Sequence, residues 1–428
     1  METQPQKALL PPILRWFLFA MILANVAASM YPILLPIYMT EIGANVQQVG
    51  IAFTLSSVAM LVLQIFGGWI SDSIGRLKAV AIGSAGGVLG FFALSLAPTW
   101  QWMMVAIMAI SFPRALVGPS FGAFIAENSS EADRGKVYGI TETIFQITGV
   151  IGPALGGFLA GLWGFKSMLL VSAIIYTLAA GLRIWMAKSM RPKETEQAAQ
   201  VLSTDSFKSS FKKMWGMIIG GGLLTWLLVT DGVRDIAFRL SGELQPLYLE
   251  QIGGLRVEQI GLLGSIFSIA WMFTPIISGK LTDRYGERVP ISIGFLFIFA
   301  SMMTFLNTTV FAGFILAWVI SGMGVGLLSP AYQSLISKTV PHNMLGIFNG
   351  VFYSSIGIIS LPAPYIGAYL WENVRPSFPF YITAFVALAT IIPTWLYFKV
   401  PKPKTAGPTP PMIEPIAGDG HALTKAAD

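Results

Sequence analysis

The sequence has 428 residues, 54% of them hydrophobic and only 11% charged. An average soluble protein carries roughly 25% charged residues, so this chain is too poor in charge to cover a water-facing surface. The absence of cysteine excludes disulfides, thiol catalysis and thiolate metal sites, and two histidines, His342 and His421, are too few to build a metal centre. The net charge of +6 suits either an anionic partner such as nucleic acid or basic loops along one side of a bilayer, and the placement of the basic residues decides between them.

Taken in chain order, the apolar segments fall at 14–38, 47–70, 78–97, 101–125, 137–160 and 167–187, then at 214–242, 258–279, 289–308, 311–336, 346–370 and 378–398. Each has about the twenty residues needed to cross a hydrocarbon core of ~30 Å, which predicts an all-α membrane protein with twelve spans. The first run is too long for a cleavable signal and lacks a small-residue cleavage site. The segments on the side of the N-terminus, counted with the span ends that reach them, hold 21 lysines and arginines, Arg183 among them, and the opposite loops hold only Lys166, Arg256 and Arg375. This bias is the positive-inside rule and predicts a cell-membrane protein with both termini cytoplasmic. The charge is spread over many loops, which argues against nucleic acid.

The chain repeats itself. Gly50, Gly68, Asp72, Gly75, Gly83 and Pro119 recur 211 positions later as Gly261, Gly279, Asp283, Gly286, Gly294 and Pro330. Gly139, Pro153 and Gly156 recur at the same offset as Gly350, Pro364 and Gly367, while Pro36, Tyr38 and Gly43 match Pro246, Tyr248 and Gly253 at 210. Glycine and proline mark bends and close backbone approaches, so a constant offset predicts two six-helix bundles, residues 1–187 and 214–400. A polar cytoplasmic linker over 188–213 and a disordered cytoplasmic tail over 401–428 complete the division. Two parallel bundles are the plan of a secondary transporter, with its site near the bilayer midplane between them.

The second span closes on Gly68-Trp-Ile-Ser-Asp72-Ser-Ile-Gly75-Arg76-Leu-Lys78, and the eighth on Gly279-Lys-Leu-Thr-Asp283-Arg-Tyr-Gly286-Glu-Arg288. This pattern resembles the signature loop of the major facilitator superfamily, over about residues 14–400. The resemblance implies that Gly68, Asp72, Gly75 and Arg76, with Gly279, Asp283, Gly286 and Arg288, form a cytoplasmic gate. Ser73 stands where the family usually has a basic residue. In the fourth span, Arg114 precedes Gly118 and Pro119 and is similar to the family's arginine motif, tied there to proton transfer or substrate anions. An arginine at mid-depth faces a cavity or a partner. The fifth span carries Gly149, Gly152, Pro153, Gly156 and Gly157, which resembles the antiporter motif of the twelve-helix drug–proton exporters and also reads as close helix packing. Glu142, two turns earlier, suits a coupling role or a basic loop partner.

The seventh span is the most polar. Asp231, Arg234, Asp235, Arg239 and Glu243 interrupt an apolar run, at spacings that pair acid with base along one helix. Such a ladder is either structural or a proton carrier. The repeat sets Asp235 against Asn25 of the first span, and Asp231, nearer the cytoplasmic end, should matter less than Asp235. Methionines and aromatics (19 Met, 29 Phe) suit lipid contact, core packing and a pliable cavity wall. No phosphate-cradling loop is present, and no cofactor is implied.

The expected function is a proton-coupled secondary transporter, working as a monomer, that exports small organic or amphiphilic compounds by alternating access. A proton-coupled uptake symporter for an organic anion is the alternative. A non-transporting receptor or an intramembrane enzyme is a third class, the latter lacking any nucleophile–base or metal set.

Overall fold

The computed structural model describes residues 11–129, 133–189, 216, 222–341 and 345–398, with only the backbone described at 65–69, 71–73, 119, 126, 346 and 347. The linker from 190 on, the tail and the side chain of Asp72 therefore lie outside the described residues. All regular structure among the described residues is helical. The helices are α1 (Pro12–Ser29), α2 (Leu35–Glu41), α3 (Val46–Ile74), α4 (Arg76–Leu96), α5 (Trp100–Asn128) and α6 (Arg134–Ser189). The second set is α7 (Leu223–Gly242), α8 (Gln245–Gln251), α9 (Val257–Tyr285), α10 (Arg288–Asn307), α11 (Phe311–Thr339), α12 (Leu345–Ile359), α13 (Ala363–Asn373) and α14 (Phe378–Tyr397). Ten helices among the described residues are long and apolar enough to cross a membrane. The 56-residue α6 turns back at Gly164, whose φ of 81° breaks the helix, and so supplies two crossings. α7 adds the twelfth, its four charged residues lowering its apolar character.

The repeat predicted from glycine and proline is present in the backbone. The bounds of α3 and α5, 29 residues each, recur 211 positions later as those of α9 and α11. Gly75 and Gly286 are positional mates, and both take a positive φ (90° and 84°) that lets α3 turn into α4 and α9 into α10 without a Cβ clash. Three crossings differ from the expected continuous spans. The first is broken between α1 and α2, where Pro36 starts a new helix. The seventh runs on beyond Gly242 through α8 to Gln251, broken before Pro246. The eleventh is interrupted between Ile359 and Ala363, where Pro362 cannot continue the ladder.

The α3–α4 and α9–α10 turns lie on the terminal side, where α1 begins and α14 ends. On the opposite, far side the halves meet through α6 against α9 and α3 against α13. A Cβ on Gly157 would stand 2.9 Å from Gly261 Cα, so only glycine allows that crossing. Gly50 packs likewise against Ala368, and a Cβ there would lie 2.6 Å from the alanine's. The Ala154 N–H donates to Ser265 Oγ (3.0 Å), the Gln47 N–H to Glu372 Oε1 (3.1 Å) and the Tyr365 N–H to Thr54 Oγ1 (3.2 Å). These bonds between the halves all lie on the far side. Toward the terminal side the crossing faces part, and a side chain added at Gly118, Gly139, Gly279 or Gly350 would meet nothing within 4 Å. The outer surface carries bare apolar residues, Leu89, Leu96 and Ile276 among them, as a lipid-facing wall requires.

Candidate functional site

A cavity of about 480 Å³ opens between the halves, lined by Tyr31, Gln64, Arg114, Asp235, Arg239 and Glu243 among others. Arg114 on α5 donates from Nη2 to Tyr31 Oη at 3.0 Å, across 83 positions of sequence. Asp235 on α7 accepts twice on Oδ2, from Arg239 Nε at 2.8 Å and from Ser360 Oγ at 2.6 Å. Ser360 sits in the break between α12 and α13, so the interruption of the eleventh crossing delivers a hydroxyl to the carboxylate. The pair is only partly covered, with the Asp235 side chain 24% and Arg239 40% exposed.

Behind this cavity lie two others, one in each half, built on matching positions of the repeat. The N-half cavity, about 700 Å³, is lined by Met21, Ala24 and Asn25 of α1, by Arg114, Val117, Phe121 and Gly122 of α5, and by Glu142 and Arg183 of α6. The C-half cavity, about 310 Å³, is lined by Asp231, Arg234 and Asp235 of α7, by Val325, Leu328, Tyr332 and Gln333 of α11, and by Tyr353 of α12. Asn25 and Asp235 are thus mates in separate cavities and do not face one another. Arg114 belongs to the central and N-half cavities, and Asp235 and Tyr353 to the central and C-half ones.

The polar ladder of α7 resolves into two separate pairs. Arg234 Nη2 lies 2.5 Å from Asp231 Oδ1 as an ion pair, and the Arg234 guanidinium also stands over the Tyr332 ring at 5.2 Å. Asp231 is buried, unlike Asp235. Glu142 is exposed in the N-half cavity, accepting from Gln146 Nε2 at 3.1 Å. Of the fifth-span motif, Gly152 packs on Ser29 and Gly156 on the Met30 carbonyl, closing α6 onto α1, while Gly157 and Pro153 face α9 of the other half. Gly149 approaches Ser268, also on α9.

The two turns on the terminal side carry a feature that the motif reading passed over. Arg76 at the start of α4 pairs with Glu127 near the end of α5, Nε to Oε1 at 3.3 Å. Their mates 211 positions on are Glu287 and Lys338, paired at 2.5 Å with the charges exchanged. Ser334 Oγ donates to the same Glu287 oxygen at 2.9 Å. Burial pushes the Glu287 carboxyl up, but the hydrogen bonds from Lys338, its own backbone and Ser334 outweigh it and hold the group below the usual value of 4.5. Asp283 is exposed and makes no ion pair with Arg288, which instead stands over the Trp395 ring at 4.7 Å.

Arg183 corrects the sequence reading most. Counted there as a basic residue on the cytoplasmic side, it is 5% exposed inside the N half. It donates from Nη1 to Ser84 Oγ at 3.0 Å and lies against Tyr176. Its nearness to Lys188 and Arg191 hid it, although its apolar flanks, Leu182 and Ile184, mark a buried setting.

The Major Facilitator Superfamily family model matches residues 17–237 and again 233–415, once for each half. The chain belongs to that superfamily. It is a multi-pass membrane transporter and not an enzyme. Among curated relatives, the multi-drug resistance efflux pump PmrA homolog of Lactococcus lactis subsp. lactis (strain IL1403) is 26% identical over 365 residues, covering 80% of this chain and 87% of that protein. The multidrug resistance protein MdtG of Proteus mirabilis (strain HI4320) is 25% identical over 408 residues, covering 90% and 96%. The fold is also that of a mutant form of the nucleoside transporter NupG (TM-score 0.73, 13% identity, 90% and 99% covered). It is shared too with a bacterial homologue of the iron transporter ferroportin in its inward-facing state (TM-score 0.72, 14% identity, 92% and 100% covered).

Proposed function

We propose that this transporter is a proton-coupled exporter of small organic or amphiphilic compounds, sited in the cell membrane with both termini cytoplasmic and acting as a monomer by alternating access. The observation that carries the reading is Asp235: a partly covered carboxylate, held by Arg239 and Ser360, on a cavity that lies between halves whose hydrogen bonds and close glycine contacts, among the described residues, are on the far side. A proton arriving on Asp235 releases Arg239, and an arginine whose acid partner changes charge is a means of linking proton load to the shape of the cavity. The printed names of the PmrA homolog and MdtG support export. The terminal side, cytoplasmic by the distribution of basic residues, is the open one, so the cavity as seen would load from the cytoplasm. Asp72, Arg76, Asp283 and Arg288, with Gly68, Gly75, Gly279 and Gly286, are proposed as the parts that close it.

The deciding experiment uses reconstituted vesicles, comparing substrate movement driven by an imposed proton gradient with exchange at equal pH. Efflux against the direction of proton entry supports the antiporter. Co-directional uptake would instead establish the organic-anion symporter, the second reading, which is favoured by Arg114 and Arg183, neither of which pairs with a carboxylate among the described residues.

A further inference from the structure

The two half cavities occupy matching positions of the repeat, yet their charge is handled differently. In the C half the cation Arg234 is neutralised by Asp231 within its own helix. In the N half the equivalents of those two residues are Ala24 and Met21, and the cavity's cations, Arg114 and Arg183, come from α5 and α6. Among the described residues each has hydroxyl partners only: Tyr31 for Arg114, Ser84 with Tyr176 for Arg183. Arg183 is buried and Arg114 is open to the cavity, and a buried guanidinium without a counter-charge favours an anion that supplies one. Glu142, the cavity's acid, forms no ion pair with either and is engaged by Gln146.

The remaining wall is aromatic and apolar. Phe91 and Tyr176 in this wall are stacked at 4.3 Å, and Tyr31, the partner of Arg114, meets Phe91 edge-on at 5.6 Å, so a run of ring contacts joins the neighbourhoods of the two arginines. Phe121 and Phe145 in the same lining meet edge-on with centroids 6.1 Å apart. A space of about 700 Å³ matches a drug-sized ligand, and one with two unneutralised cations in a greasy wall selects a molecule that is both apolar and negative.

We propose that the N-half cavity, rather than the space between the halves alone, holds an amphiphile with an anionic head group, carboxylate, sulfonate or phosphate, and that Arg183 is a binding residue of that site. This rests on the reading of the chain as a transporter of small organic compounds and narrows its substrate class. The C-half cavity, already neutral, takes no head group.

The test is binding, which needs no transport. Purified full-length protein in phosphatidylcholine nanodiscs is titrated with 1-octanesulfonate and with octyltrimethylammonium, which share a tail and differ in head charge. The wild type binds the sulfonate at least tenfold more tightly. Arg183→Gln removes that preference, Arg183→Lys retains part of it, and the trimethylammonium affinity is unchanged in both. A merely structural arginine would alter both probes alike. If Arg183→Gln fails to yield monodisperse protein, Arg114→Gln, which is open to the cavity, serves for the same comparison. Adding phosphatidylglycerol to the nanodiscs separates sources: competition with the sulfonate assigns the site to a bilayer lipid, no competition to a free amphiphile, and either supports an anion site. Equal binding of the two probes by wild type, or an unchanged preference in Arg183→Gln and Arg114→Gln, overturns the proposal. Preserved selectivity with no gradient-driven export in vesicles would instead overturn the exporter reading and leave the site standing.

Discussion

On Asp235, two hydrogen bonds converge on one carboxylate oxygen and none is made to the other among the described residues, whereas Asp231 has its charge spent on Arg234 inside the protein. The two acids of α7 should therefore fail in different ways. Asp235→Asn keeps its shape and its Ser360 contact, so the protein stays folded and retains exchange of substrate for substrate. Gradient-driven transport is lost, which paired assays on the same vesicles will read. Asp231→Asn strands an arginine that is three-quarters covered and has no other acid partner in its pair, so melting temperature and yield fall first. Position along the helix alone suggested the milder effect for Asp231, and burial reverses that order for stability. Arg114→Lys keeps the charge but loses the planar fork that reaches Tyr31, and transport should drop at least tenfold with the melting temperature little changed. Normal transport by the lysine variant would show that any positive charge suffices.

Among elements, the contact of α6 with α9 is one that a single side chain can break. Gly157→Leu puts a branched chain where the Gly261 backbone already stands, so the far side cannot close as seen. The expected result is a folded protein with normal yield, lost transport, and far-side cysteine probes on α3 and α13 that label faster than in wild type. Slow labelling with intact transport would mean that another contact sets the closure. Much of this architecture was legible beforehand, because glycine and proline constrain the backbone wherever they stand and their offset survives side-chain divergence. The breaks at Ser29–Leu34 and Ile359–Ala363 were not legible, since hydropathy registers apolar length and not helix continuity. Acid–base pairs within α7 could be read from their spacing of three and four. The partners Tyr31 for Arg114 and Ser360 for Asp235 could not, because they are joined only by the packing of distant crossings. Arg183 was hidden by its basic neighbours, which made a buried cation look like a loop charge.

For the whole molecule, stability against acid is set in part by Glu287, which lies outside the crossings. Its folded-state pKa is below the reference 4.5, so its contribution is fully present above 4.5 and is lost as the pH falls through the lower folded value. Glu287→Gln should lower the melting temperature in detergent at pH 7, and the gap from wild type should narrow below pH 4.5. A gap that stays constant to low pH would assign the effect to packing. The proposed alternating access adds a second molecule-wide demand, that the far-side contacts release as the terminal side closes. Cross-linking Gly50→Cys to Ala368→Cys should accordingly stop turnover, with activity restored on reduction.

The exchanged charges of the two terminal-side pairs bear on which half moves. A helix carries a partial positive charge at its N-terminus and a partial negative one at its C-terminus, each worth on the order of 0.3–1 kcal/mol to a well-placed side chain before solvent screening. In the C half both members sit with this field: Glu287 caps the start of α10 and Lys338 closes α11. In the N half both sit against it, Arg76 at the start of α4 and Glu127 at the end of α5. The same joint is thus stiff in one half and soft in the other, like a door hung on one tight and one loose hinge. Amide hydrogen exchange should show it directly, with the terminal-side ends of α4 and α5 exchanging faster than those of α10 and α11. The difference should shrink in the double variant Arg76→Glu, Glu127→Lys, which turns the loose joint around.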